Sequence, residues 1–120
     1  MLFEDHNRVA GGDPTQHPEL AIARWAANNM PVEDRANATV YTSGEHCPMC
    51  AAAHGWAGLG RIVYASSMEQ LMAWMAELKV PASPVRALSI GDVIKDADVE
   101  GPVAELAERI RDLHIAFHAG

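Results

Sequence analysis

Residues 38–56 constrain the fold of this chain more than any other stretch. Thr39 to Thr42 are β-branched or aromatic and predict a strand. Ser43-Gly44 predicts a turn, and Pro48 to Trp56 a helix whose Ala51-Ala52-Ala53 run allows close packing. The same stretch holds both cysteines of the chain, Cys47 and Cys50, the first in the turn and the second inside the first helical turn. A helix N-terminus favours thiolates at both places. The spacing serves a metal site or a thiol redox pair equally well.

The flanking sequence extends this strand-then-helix unit. Leu2-Phe3-Glu4 reads as the tail of a short strand, and residues 5–13 as a loop marked by Asn7 and Gly11-Gly12. Asp13 or Thr15 can cap the next helix, with Pro18 in its first turn. From Leu20 to Ala27 that helix is apolar almost all round, which predicts burial on more than one side. Residues 32–37 read as loop, 61–65 as strand, 68–78 as a helix with Met68, Leu71, Met72, Met75 and Leu78 on one face. Residues 87–90 read as strand, 94–101 as an acidic connection, and 103–117 as a final amphipathic helix. Strands alternating with helices predict an α/β fold with helices packed on a sheet, and 120 residues suit a single domain spanning 1–120.

Composition narrows the partners. Net charge is −7, and the nine basic residues are scattered from Arg8 to Arg111, which disfavours nucleic acid. No apolar run reaches membrane-spanning length and Met1 opens no signal-peptide pattern, so a cytoplasmic protein with no membrane partner is expected. Two cysteines there serve metals or catalysis more readily than a structural disulfide.

Two cysteines need further ligands to hold a metal. His17, at the start of the other buried helix, supplies a third and leaves one tetrahedral position of a zinc ion free for water. Glu19, two residues on, can then move a proton between water and substrate. A closed structural site with His54, four residues after Cys50, is the competing arrangement, and it leaves Glu19 without a task.

His-x-Glu followed by Cys-x-x-Cys is a zinc-deaminase pattern. Three colinear blocks carry the resemblance. Asp13 to Glu19 resembles the "DPTxHxE" segment of the cytidine/deoxycytidylate deaminase superfamily, Tyr41 to Cys50 its "YTSxEPCPMC" segment, and Trp56 to Ala65 its "WAGIxRVVYA" run. The resemblance implies a cytidine deaminase-like three-layer α/β/α sandwich, of which the first helix and first strand have no counterpart here. It implies zinc held by His17, Cys47 and Cys50, Glu19 as proton shuttle, and Asn7 as a substrate contact. Trp56 matches the guanine deaminase-like branch and would form a pocket wall. The implied substrate is a nucleobase or close analogue, guanine-like or cytosine- or triazine-like. The implied assembly is a homodimer. Adenosine in tRNA ranks lower for want of a basic surface, and a non-catalytic zinc module or thiol redox protein is the reading from another class. Three positions depart from the pattern: His46 stands for Pro, His54 for an apolar residue, and Pro18 for Ala.

Overall fold

The computed structural model describes residues 13–81 and 83–119, with the side chains of residues 114–119 left aside. The expected strand at 2–4 and Asn7 lie outside the described residues. The order of elements is α1 (Pro18–Asn29), α2 (Val32–Asn37), β1 (Val40–Gly44), α3 (Pro48–Ala57), β2 (Ile62–Ser66), α4 (Met68–Glu77), α5 (Ile90–Val93), β3 (Val99–Glu100) and α6 (Ala104–Ala119). The strands form a parallel sheet in the order β1-β2-β3, with Val40 opposite Ile62 and Ile62 opposite Val99. Four of the five residues of the central strand β2 are buried, including neighbours that point to opposite faces. A parallel strand buried in this way is covered by helices on both sides, as expected of an α/β fold.

Ile62 and Tyr64 pack on Ile90 of α5, with Ile94 and Ala97 closing that part of the core. Helix α1 lies along α3, and α6 packs on β2. In this chain α1 buries fully only Ala23 and Ala26, and Ala27 is exposed. Leu20, Ala21, Ile22 and Trp25, on other sides of the helix, are half-buried.

Three short elements differ from the sequence expectation. Residues 32–37 form α2 rather than loop. Glu33 and Asp34 favour its N-terminus, and Arg35 ties it to α3 by donating from Nη1 to the Ala57 carbonyl at 2.9 Å and from Nε to Met30 O at 3.0 Å. Ala87 and Leu88 form no strand. Ser89 instead starts α5, donating its backbone N–H and hydroxyl to the Asp92 carboxylate at 3.3 and 3.0 Å. Val99–Glu100, inside the expected connection, becomes β3 because β2 offers it an open edge.

The turn from α3 into β2 is narrow. Gly58 caps α3 in the left-handed region with φ 72°. A Cβ on Gly60 would lie 2.5 Å from the Ala36 carbonyl oxygen and 2.6 Å from that of Ala38, so only glycine fits there. Imidazole Nε2 of His54 bonds the Gly60 carbonyl at 2.8 Å and holds the same turn from inside.

Candidate metal centre

The site forms where two helices begin side by side. His17 is the N-cap of α1 and Cys47 the N-cap of α3, each followed by proline at the first helical position. Neither Asp13 nor Thr15 caps α1. Asp13 folds the approach instead, accepting from the Thr15 amide at 2.9 Å, the Thr15 hydroxyl at 2.7 Å and the Gln16 side chain at 3.1 Å. That turn delivers His17, whose own amide donates to Thr15 O at 2.8 Å.

His17 Nδ1 lies 3.6 Å from Cys47 Sγ and 3.5 Å from Cys50 Sγ, and the two sulfurs are 3.5 Å apart. A tetrahedral zinc with Zn–S of about 2.3 Å and Zn–N of about 2.0 Å needs ligand–ligand edges of about 3.5–3.8 Å. The three side chains match that triangle, and they form a cluster able to hold a metal ion. His54 stays out of it, because its Nε2 is committed to Gly60. The closed four-ligand arrangement with His54 is therefore not formed, and among the described residues the cluster offers three ligand atoms.

Electrostatics favour charge on the outer sulfur. The Cys47 thiol is depressed to about 5, chiefly by a hydrogen bond from the Cys50 thiol, with the Cys50 amide and His17 adding to it against the cost of burial. The same shared proton pushes Cys50 up, assisted by its burial. We assign that proton to Cys50, since its own backbone amide and His17 both stabilise a Cys47 thiolate. A bound metal displaces it. Glu19 sits in the first turn of α1. Burial holds its carboxyl above the usual range, Cys47 pushes the same way, and His17 opposes them. A carboxyl held up in this manner fits a group that takes and returns protons.

Trp56 is 91% exposed, and six residues of helix carry it about 9 Å along α3 from Cys50. The structure does not bring it to the metal cluster. Glu45 accepts backbone hydrogen bonds from two distant elements: the first amide of α4, Met68 N, at 2.9 Å and the first of α5, Ile90 N, at 2.8 Å. Sequence reasoning missed His46. It is 1% exposed, packs edge-on against His54 with ring centroids 5.4 Å apart, and bonds neither ring nitrogen to a described residue. Burial, and secondarily His54, depress it to about 3, so it is neutral. The signal available was its place beside a ligand, where the family pattern has proline.

The chain is similar to a probable cytosine deaminase of Schizosaccharomyces pombe, 38% identical over 72 residues, which are 60% of this chain and 43% of the relative. It is also similar to a guanine deaminase of Bacillus subtilis, 34% identical over 67 residues, 55% of this chain and 43% of the relative. These matches span less than half the length of either relative. The sequence model of MafB19-like deaminases matches residues 6–97, which include His17, Glu19, Cys47 and Cys50. With His17, Cys47 and Cys50 placed so that they could hold a metal ion, and the half-buried Glu19 carboxyl inside that region, the chain belongs to the MafB19-like deaminase family.

Proposed function

We propose that residues 1–120 act as one zinc-dependent hydrolytic deaminase domain that converts an amino-bearing nucleobase or close analogue to its oxo form with release of ammonia. The observation that carries this is the conjunction of three ligand atoms at two helix N-termini with a half-buried Glu19 in the same turn. We rank guanine-like and cytosine-like rings first, a ranking supported by the names of the two relatives, and triazine-type rings next. The net charge of −7 argues against a polynucleotide substrate.

His17 Nδ1, Cys47 Sγ and Cys50 Sγ would hold the zinc. When bound, zinc supplies Lewis acidity that makes water a nucleophile near neutral pH. Glu19 would take a proton from a water beside it, whose oxygen adds to the amino-bearing ring carbon, and would deliver that proton to the adjacent ring nitrogen. A second proton passes through the same carboxylate to the amino group. The C–N bond breaks, ammonia leaves, and oxygen stays on the ring as a carbonyl. Asn7 would orient the ring. Trp56 would wall the pocket by coming from a second copy or by a rearrangement of α3, since it is exposed in the single chain. Thiols kept free for a metal suit a cytoplasmic setting, and the exposed Trp56 and Tyr41 suit a homodimer, which light scattering checks against the 12.9 kDa chain mass.

Ammonia release from zinc-loaded protein, measured over guanine, cytosine, isocytosine, adenine, their nucleosides and triazine analogues, tests the reading. One ring type is expected to react, and Glu19→Ala to lower its turnover about 10²–10⁴-fold with zinc still bound. Wild-type turnover in that variant, or silence over the whole panel, overturns it.

A further inference from the structure

The two sulfurs of the metal cluster are also placed to react with each other. Cys47 Sγ and Cys50 Sγ lie 3.5 Å apart, and both thiols are free. Residues three apart at a helix start have Cα atoms roughly 5 Å apart, inside the range that a disulfide spans. Closing the sulfurs to the bonded distance of about 2.05 Å then takes side-chain rotation and leaves α3 where it is. The two differ in access. Cys50 is 0% exposed, whereas Cys47 is half-buried at the N-cap of α3. A small oxidant arriving from solvent meets Cys47 and finds Cys50 directly behind it. An accessible thiol with a second one poised beside it is the arrangement that reversible oxidation needs. Both sulfurs also contact Nδ1 of His17, at 3.6 and 3.5 Å. A metal there requires two thiolates, and a disulfide offers none.

We propose that Cys47 is a modification site for hydroperoxides, with Cys50 as its resolving thiol, and that the resulting disulfide and a bound metal exclude each other. Cys47 Sγ attacks one peroxide oxygen. The O–O bond breaks, and the second oxygen leaves as hydroxide, which takes a proton to become water. Cys47 is left as a sulfenic acid. Cys50 Sγ then attacks Cys47 Sγ, the S–S bond forms, the S–O bond breaks, and the hydroxyl leaves as water with the Cys50 proton. The sulfurs give up two electrons in all, and the peroxide gains them. A dithiol reductant restores both thiols by exchange, becoming a disulfide itself. In the oxidised chain His17 has no thiolate with which to share a metal. The inference rests on the metal ligands of the proposed function and needs no turnover of a base.

The 120-residue chain, stripped with EDTA or loaded with zinc, is exposed to hydrogen peroxide. Free thiols, intact mass and zinc released to a metallochromic dye are followed together. The metal-free chain should lose both thiols at once and two hydrogens of mass, with no link between chains. Dithiothreitol should restore the thiols and zinc binding with them. With zinc at about a hundred times its Kd, oxidation should slow about a hundredfold, since only the metal-free fraction reacts. Cys50→Ser should stop at a sulfenic acid on Cys47 that dimedone traps, and Cys47→Ser should leave the Cys50 thiol unmodified. The wild-type arms decide without either variant. A rate unchanged by zinc overturns the proposal, as does oxygen added to the wild-type chain without a disulfide. Disulfides formed only between chains overturn it too. Zinc binding without disulfide formation overturns it and leaves the metal reading intact, whereas silence over the panel of bases leaves it standing when the disulfide forms and zinc prevents it.

Discussion

His46 packs against His54 with neither ring nitrogen bonded to a described residue, next to the ligand Cys47. Its depression to about 3 has a consequence for stability. The unfolded chain protonates this residue below about 6.5, and the folded chain only near 3. Between those values the unfolded state binds more protons, so stability is complete above 6.5 and falls as pH falls. The slope from this one group is at most about 1.4 kcal/mol per pH unit. His54 is depressed too, by burial, and adds in the same direction. Urea unfolding of the metal-free protein between pH 3 and 7 checks this. His46→Leu should flatten the dependence and leave stability at pH 7 equal or higher, because it removes a buried polar group that has no partner. The candidate metal cluster was legible at this scale: a histidine and two cysteines beside helix-starting prolines mark their own positions. The environment of His46 was not, because a residue's burial is decided by what packs over it from elsewhere in the chain.

Elements held by their own sequence were legible, and elements held by others were not. Helices α1, α3 and α4 carry apolar periodicity or proline starts, and β1 and β2 their β-branched runs, so the sequence shows them within a residue or two. Helix α2 has six residues and no buried one, and it depends on Arg35 reaching the end of α3. Strand β3 has two residues and exists through β2. Helix α5 has four, with Ser89 and Asp92 at its start as the overlooked local sign. At this scale Glu45 is the central residue, since a single carboxylate anchors the starts of α4 and α5 beside the metal loop. Glu45→Ala leaves two amides without acceptors and should lower stability by about 2–4 kcal/mol. Glu45→Gln keeps one acceptor and should lose about half of that. The urea midpoint at constant slope separates the two.

In the whole molecule, the metal would join α1 to α3 and through them one face of the sheet. Whatever binds only the folded chain stabilises it, by about 4 kcal/mol at a thousandfold excess over Kd. Zinc should therefore raise the melting temperature by roughly 10 °C or more, given about 4 °C per kcal/mol at this chain length. Cys50→Ser should abolish the rise and Glu19→Ala should keep it, so scanning calorimetry with zinc or EDTA distinguishes ligand from proton shuttle. The α/β order was legible at this scale from alternating elements. The cleft between α4 and α5 was not, because its walls come from Glu45, Tyr64, α4 and Asp92, positions with no common sequence signature.

The separations of the three ligands also impose an order in time. Cys47 and Cys50 become neighbours as soon as one turn of helix forms, whereas His17 lies 30 and 33 residues before them. During synthesis His17 leaves the ribosome first and has no counterpart until α3 follows. The thiol pair can then capture an ion on the timescale of a single helical turn, long before the two helices meet. Closing the intervening segment becomes the slower event, and an ion already waiting on the sulfurs rewards only the docking that brings the imidazole home. A metal held by these three side chains would thus proofread the pairing of α1 with α3, by where along the sequence they fall.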